Sequence, residues 1–214
     1  MTVVLLIRHA SNDFLKEHRL AGWTPGVHLN EQGQREADAL ARRLQHLSIH
    51  AIYSSPLERA VETARAVAQC QKLDVNILPD VGEVRIGDWE GKLIKQVEQT
   101  DLWKQLQTQP VGVPIAGGES IDQVQQRMVA AIERIVAQHP KQIVAVFSHA
   151  DPIKAVVAHY LKMDLNAFQR LVINPASVTV LLFNEHGTHL FRLNDGEPLP
   201  TFEPEKEPVP ERKE

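Results

Sequence analysis

Two short apolar runs, residues 3–7 (Val-Val-Leu-Leu-Ile) and 143–147 (Ile-Val-Ala-Val-Phe), constrain this chain more than any other feature. Each is continuous rather than alternating and rich in β-branched residues, as in a strand buried on both faces. Such a strand needs a layer of helices on each side. Helical periodicity is found where those layers would come from. From Gln34, the residues Ala37, Leu40, Ala41, Leu44 and Leu47 recur at three- and four-residue steps. Pro56 is placed to open a helix over about residues 57–69. Another helix is expected over 94–106. A long amphipathic helix runs from Ser120 to about Gln138, with Ser120 and Gln123 spaced as a capping box. Pro152 is expected at the first position of the helix that follows the second apolar run.

Shorter strands are read at 51–53 and 75–78, with a closing pair at 178–183 and 189–193 joined around 184–187. Residues 11–33, which include Gly22, Pro25, Gly26 and Gly33, read as a long connection. Strands alternating with helices predict one three-layer α/β/α domain over residues 1–194 with a mainly parallel central sheet. Residues 195–214 are rich in proline and charge. They have too little apolar surface to offset the entropy of ordering, so an extended or disordered tail is expected.

Composition narrows the function classes. A net charge of -4 argues against a nucleic-acid partner, which basic proteins usually bind. Cys70, the single cysteine, excludes an intramolecular disulfide and a zinc ribbon, and fits a reducing compartment. No apolar stretch approaches the roughly 18–20 residues needed to cross a bilayer. The first residues lack a basic leader ahead of the apolar run and a small-residue cleavage site. The expectation is a cytoplasmic protein with no membrane partner. A homo-oligomer is compatible with the sequence.

Both apolar runs end in a histidine-bearing turn: Ile7-Arg8-His9-Ala10 and Phe147-Ser148-His149-Ala150. A third turn of this kind, Ser54-Ser55-Pro56-Leu57-Glu58-Arg59, puts Arg59 at a helix start. In a parallel sheet, ligands sit beyond the carboxyl ends of the strands. If these strands are neighbours, two arginines and two histidines converge on one rim. Backbone N–H groups at the adjoining helix starts, Ala150 among them, add anion-binding capacity. That set suits a phosphoryl group. Arginine pairs two oxygens at once and stays charged, and neutral imidazole can attack phosphorus and divide one hard hydrolysis into two easier steps.

Arg8-His9 after the leading strand, Ser54-Ser55-Pro56-Leu57-Glu58-Arg59-Ala60 and Ser148-His149, in that order, resemble the histidine phosphatase superfamily, the phosphoglycerate-mutase-like proteins. The resemblance spans residues 3–194. It implies a phosphoglycerate-mutase-like fold and a phosphatase that hydrolyses the phosphomonoester of a small metabolite without metal or cofactor. His9 is the implied phosphorylated nucleophile, and Arg8, Arg59 and His149 form the phosphate pocket. Residues 82–91 are similar to the family's Glu-x-x-x-Gly-x-Trp-Glu-Gly segment, which makes Glu83 the general acid and Glu90 its rival. The sequence departs from the pattern after the nucleophile. Alanine (Ala10) replaces the usual glycine, and Leu15 stands where the family has asparagine, with Asn12 as a substitute donor. Arg8, Asn12, Arg59, His149 and Ala150 are the expected substrate-binding residues.

Other readings remain open on sequence. Arg59 could pair with Glu62, and His149 could serve as a cap beside its helix. Trp89 reads as core packing, and the other eight histidines as structural or surface groups. Residues 22–28 fit a mobile lid or a fixed connection equally. No His-x-His, His-Glu-x-x-His or cysteine cluster favours a metal. A phosphomutase is the nearest rival, but the family's mutases have Glu-Arg-His-Tyr-Gly where this chain has Glu83-Val84-Arg85-Ile86-Gly87. A non-catalytic phospho-ligand-binding protein is the rival from another class.

Overall fold

A computed structural model describes residues 1–196. Thr2–Arg8 forms β1, Ile49–Ser54 β2, Val75–Ile77 β3, Ile143–Ser148 β4, Val178–Asn184 β5 and Gly187–Asp195 β6. They make one sheet in the order β3-β2-β4-β1-β5-β6. The four strands from β3 to β1 pair in parallel, and β5 and β6 join as antiparallel strands. The mainly parallel α/β expectation therefore holds. The helices are α1 (Asp13–Lys16), α2 (Glu31–Leu44), α3 (Glu58–Gln71), α4 (Ile94–Val97), α5 (Asp101–Thr108), α6 (Ile121–Gln138) and α7 (Ala150–Tyr160).

The continuous apolar run of β1 serves both faces. Val4 and Leu6 pack with α6 and α7 residues such as Met128, Ile132 and Val156, while Leu5 and Ile7 pack with Leu40, Leu44 and Val67 from α2 and α3. Strand β4 divides in the same way, Val144 and Val146 to one face, Ala145 and Phe147 to the other. Each fully buried aliphatic side chain contributes roughly 1.5–3 kcal/mol, so these two strands anchor the domain. They also fix the functional rim: Arg8 lies beside Ser148 in the β1–β4 register, and Ser54 lies beside Phe147 in β2–β4.

Several boundaries differ from the sequence expectation, each for a local reason. Helix α2 starts at Glu31, not Gln34, because the Asn30 side chain accepts from the Gly33 N–H at 2.9 Å and caps it there. Gly33 is thus helical rather than part of a turn. Pro56 lies outside α3, where Leu57 is the N-cap, and Pro152 is the third residue of α7 rather than its first. The helix expected over 94–106 is two, α4 and α5, because Thr100 accepts from the Trp103 N–H at 3.2 Å and starts a second helix. At α6, the Ser120 N–H donates to Gln123 Oε1 at 2.9 Å, the reciprocal half of the expected box. The boundary drawn after Asn194 falls one residue inside β6; residues 197–214, most of the expected tail, lie outside the described residues. Among the described residues no helix is long and apolar enough to cross a membrane.

Candidate active site

His9 leaves the end of β1 buried, at 3% exposure. Its Nδ1–H donates to the Ala10 carbonyl at 2.7 Å, and Arg59 Nε donates to its Nε2 at 3.3 Å. Together these bonds select one tautomer, with the proton on Nδ1 and the lone pair on Nε2, facing the cavity. Burial and the charges of Arg59 and Arg8 hold the His9 pKa well below the usual imidazole range. The ring is therefore neutral at any ordinary working pH.

Arg59, 1% exposed, does not reach Glu62. Its Nη2 donates to the Gly22 carbonyl at 2.8 Å, and its Nη1 is buried without a partner. Glu62 instead accepts from His28 and from the Leu29 N–H. Arg8 Nη1 donates to the Ile173 carbonyl at 2.6 Å, and Arg8 Nε is unpartnered. Asn12 caps α1 by accepting the Leu15 N–H on Oδ1 at 3.0 Å, which leaves its buried Nδ2 without a partner.

His149 is fully buried, and its ring centroid lies 5.1 Å from that of His9. Its Nε2 is 2.8 Å from Ser55 Oγ, which also accepts the Leu57 N–H. The Ser55 hydroxyl can donate to Nε2, the arrangement that places the proton of His149 on Nδ1. That Nδ1 is buried and unpartnered, 3.7 Å from Glu83 Oε2.

Four buried nitrogen donors (Arg8 Nε, Asn12 Nδ2, Arg59 Nη1 and His149 Nδ1) thus lack an internal acceptor. Buried donors are rarely left unpaired, and four in one place describe a receptor for an anion with several oxygens. Arg8, His9, Asn12, Arg59 and Glu83 line a cavity of about 300 Å³ there. Neither His149 nor Ala150 lines it; the His149 ring lies beside that of His9, and Ala150 opens α7, packed against the core on the α6/α7 side. Among the described residues no group of three His, Cys, Asp or Glu side chains is arranged to hold a metal ion.

Glu83 borders the cavity on the segment after β3. Burial, then the Asp151 carboxylate, push its pKa up to about 7 against the opposing pull of Arg59, the Val84 N–H and Arg8. Its backbone is pinned from two sides. Trp23 Nε1 donates to the Glu83 carbonyl at 2.7 Å, and Arg127 Nη2 does so at 2.8 Å. Glu90, the rival carboxylate, accepts the Trp23 N–H at 3.1 Å and so holds the loop rather than the reaction site. Residues 22–28 are tied down through Gly22, Trp23 and Gly26, the last donating to Glu58, which favours the fixed connection over a lid. Trp89 is buried with Val97 and Ile115, as core packing.

Sequence reasoning missed several contributors. Thr63 accepts the Ala10 N–H at 3.0 Å and donates to the Arg59 carbonyl at 2.7 Å, joining the two arms of the site. Its position four residues after Arg59 was the available signal. Ser55 was visible as part of a turn, though not as the partner of His149. Arg127 and Asp151 gave no local signal, because each acts across the fold.

Comparison with known proteins identifies relatives along nearly the whole described chain. The chain is 30% identical to phosphoserine phosphatase 1 of Hydrogenobacter thermophilus over 196 residues, covering 91% of this chain and 92% of that protein. It is also 30% identical to a 2,3-bisphosphoglycerate-dependent phosphoglycerate mutase of Thermoplasma acidophilum, covering 85% and 87%. The crystal structure of Entamoeba histolytica phosphoserine phosphatase in complex with 3-phosphoglyceric acid superposes with a TM-score of 0.83 at 26% identity, covering 92% of this chain and 98% of that one. The model of the histidine phosphatase superfamily, branch 1, matches residues 4–196, and this chain belongs to that family.

Proposed function

We propose that this protein is a metal-independent phosphatase that hydrolyses phosphomonoesters through a phosphohistidine on His9. The observation that carries this reading is the neutral His9 with its Nε2 lone pair facing a cradle of four unpartnered buried donors. The phosphoryl oxygens take the donors of Arg8, Asn12, Arg59 and His149. His9 Nε2 attacks phosphorus, and the bond from phosphorus to the ester oxygen breaks. Glu83, protonated at its raised pKa, gives its proton to the departing alkoxide. The resulting Glu83 carboxylate takes a proton from water, the hydroxide attacks phosphorus, and the Nε2–phosphorus bond breaks. Inorganic phosphate leaves, with His9 neutral and Glu83 protonated again. The arginines and His149 stabilise charge on the equatorial oxygens throughout.

Relatives named as phosphoserine phosphatase and as mutase both handle phosphomonoesters, so they support the reaction class. Hydrolysis is favoured over phosphoryl return because Val84 and Ile86 wall the cavity next to Glu83, a poor grip for a small polar acid. The test is phosphate release from a panel of phosphomonoesters in EDTA, comparing wild type with His9→Ala. Turnover that survives EDTA and is abolished in the variant is expected. Phosphate transferred to an added hydroxy-acid acceptor instead of water would make it a mutase. Ligand binding with no turnover on any ester would make it a binding protein.

A further inference from the structure

A second cavity of about 140 Å³ adjoins the one that holds the cradle. Leu20, Val84, Ile86 and Asp151 line both. Beyond them the annex is walled by Trp103, Leu106, Val113, Ile115 and Phe168. Its volume is close to that of the roughly 150 Å³ apolar cavity known to take up a benzene ring. Among the described residues no cation lines it. Its two charged groups are carboxylates, Glu119 paired with Arg127 and Asp151 paired with Lys154. The carboxyl group of a phospho-acid would meet like charge there. Arg19, on the cradle side, offers little compensation, because its Nε is held by Glu17 and its Nη1 by the Gly91 carbonyl.

Chain order sets the direction of the substrate. Glu83 serves the leaving oxygen, and Val84 and Ile86, one and three residues on, form the wall shared by the two cavities. The body of the departing alcohol passes along that wall into the annex. We infer that the annex is the leaving-group subsite and that the preferred substrates are phosphomonoesters of neutral alcohols with an apolar body about the size of one ring, rather than phospho-acids. This rests on the phosphatase reading above.

Ethyl, butyl and hexyl phosphate test it, since their leaving alkoxides are nearly equally basic and differ in apolar length. In wild type, kcat/KM is expected to rise up to about fourfold per added methylene, or up to about sixteenfold from each ester to the next. Hexyl phosphate should exceed both O-phosphoserine and 3-phosphoglycerate. Leu106→Trp and Val113→Phe, which fill the annex from different segments, should abolish the hexyl advantage, so that hexyl phosphate is turned over no faster than ethyl phosphate. A flat series, a phospho-acid preferred over hexyl phosphate, or an advantage that survives both fillings overturns the proposal. Dissociation constants of the same esters with His9→Ala separate the two claims. Affinity that climbs along the series without wild-type turnover keeps the annex and defeats the phosphatase reading. Turnover with flat rates and flat affinities does the reverse.

Discussion

Glu83 is costly to the folded state for the same reason that it suits the proposed acid role. Its carboxyl is ordinary in the unfolded chain, near 4.5, and is raised to about 7 in the fold. The folded state therefore holds its proton more tightly. The destabilisation is absent below pH of about 4.5, grows as pH rises, and is complete above about 7. Glu83→Gln removes it. The variant is expected to be more stable than wild type by roughly 1–3 kcal/mol at pH 8, with the gain vanishing toward pH 4, measured by urea denaturation at each pH. Activity should move oppositely, with kcat on an alkyl ester falling about 10²–10⁴-fold. In wild type the alkaline limb of kcat/KM on alkyl esters should lie near pH 7, where the acid form of Glu83 is lost. The acidic limb belongs to protonation of His9 and falls well below the usual imidazole range. An alkaline limb unchanged in Glu83→Gln would remove Glu83 from the acid role.

At the scale of elements, helix α6 holds the segment of Glu83, the proposed general acid, through one side chain. Arg127 donates to the carbonyls of Asp80, Gly82 and Glu83 and forms a bidentate pair with Glu119. No other residue type spans three carbonyls and a carboxylate, since only guanidinium presents five donors in a plane. Arg127→Met is expected to lower kcat on an alkyl ester by about tenfold to a hundredfold with little change in KM. The loss should be smaller on a nitrophenyl ester, whose departure needs no proton, and Arg127→Lys should recover only part of it. Equal losses on both esters would mean general damage to the fold instead. Helix α2 makes a different demand. Gly33→Ala in a helix ordinarily gains about 1 kcal/mol, but here a Cβ would overlap the Ser11 carbonyl behind the nucleophile. Overpacking outweighs propensity, so a net loss of roughly 1–3 kcal/mol is expected by urea denaturation.

For the whole molecule, the cradle couples ligand binding to global stability. Its donors come from β1, the cap of α1, α3 and the turn into α7, which converge only in the folded chain. Inorganic phosphate should therefore bind the native state alone. At a hundred times its Kd it should contribute about 2.7 kcal/mol, raising Tm by roughly 5–10 °C for a chain of this size. Calorimetry with and without phosphate checks this, and Arg59→Met should lose the shift whatever its own Tm. A full shift in that variant would place the anion elsewhere.

Residues 3–7 and 143–147 were legible as central strands because a continuous apolar run has one stable solution, burial on both faces. The placement of His9, Arg8, Arg59 and His149 was legible too, each at the end of a strand or the start of a helix on the rim where a parallel sheet presents its ligands. Helix starts at Asn30 and Thr100 were misjudged because one capping hydrogen bond outweighs apolar periodicity at an end. The tertiary structure alone decided what depends on distance through space. It put Glu83 on the cavity wall and gave Glu90 to the Trp23 amide. It recruited Arg127 from a helix surface 44 residues away in sequence. It also set the apolar annex beside the acid. Local sequence carries periodicity and turn chemistry; desolvation, pairing and cavity shape exist only once distant segments meet.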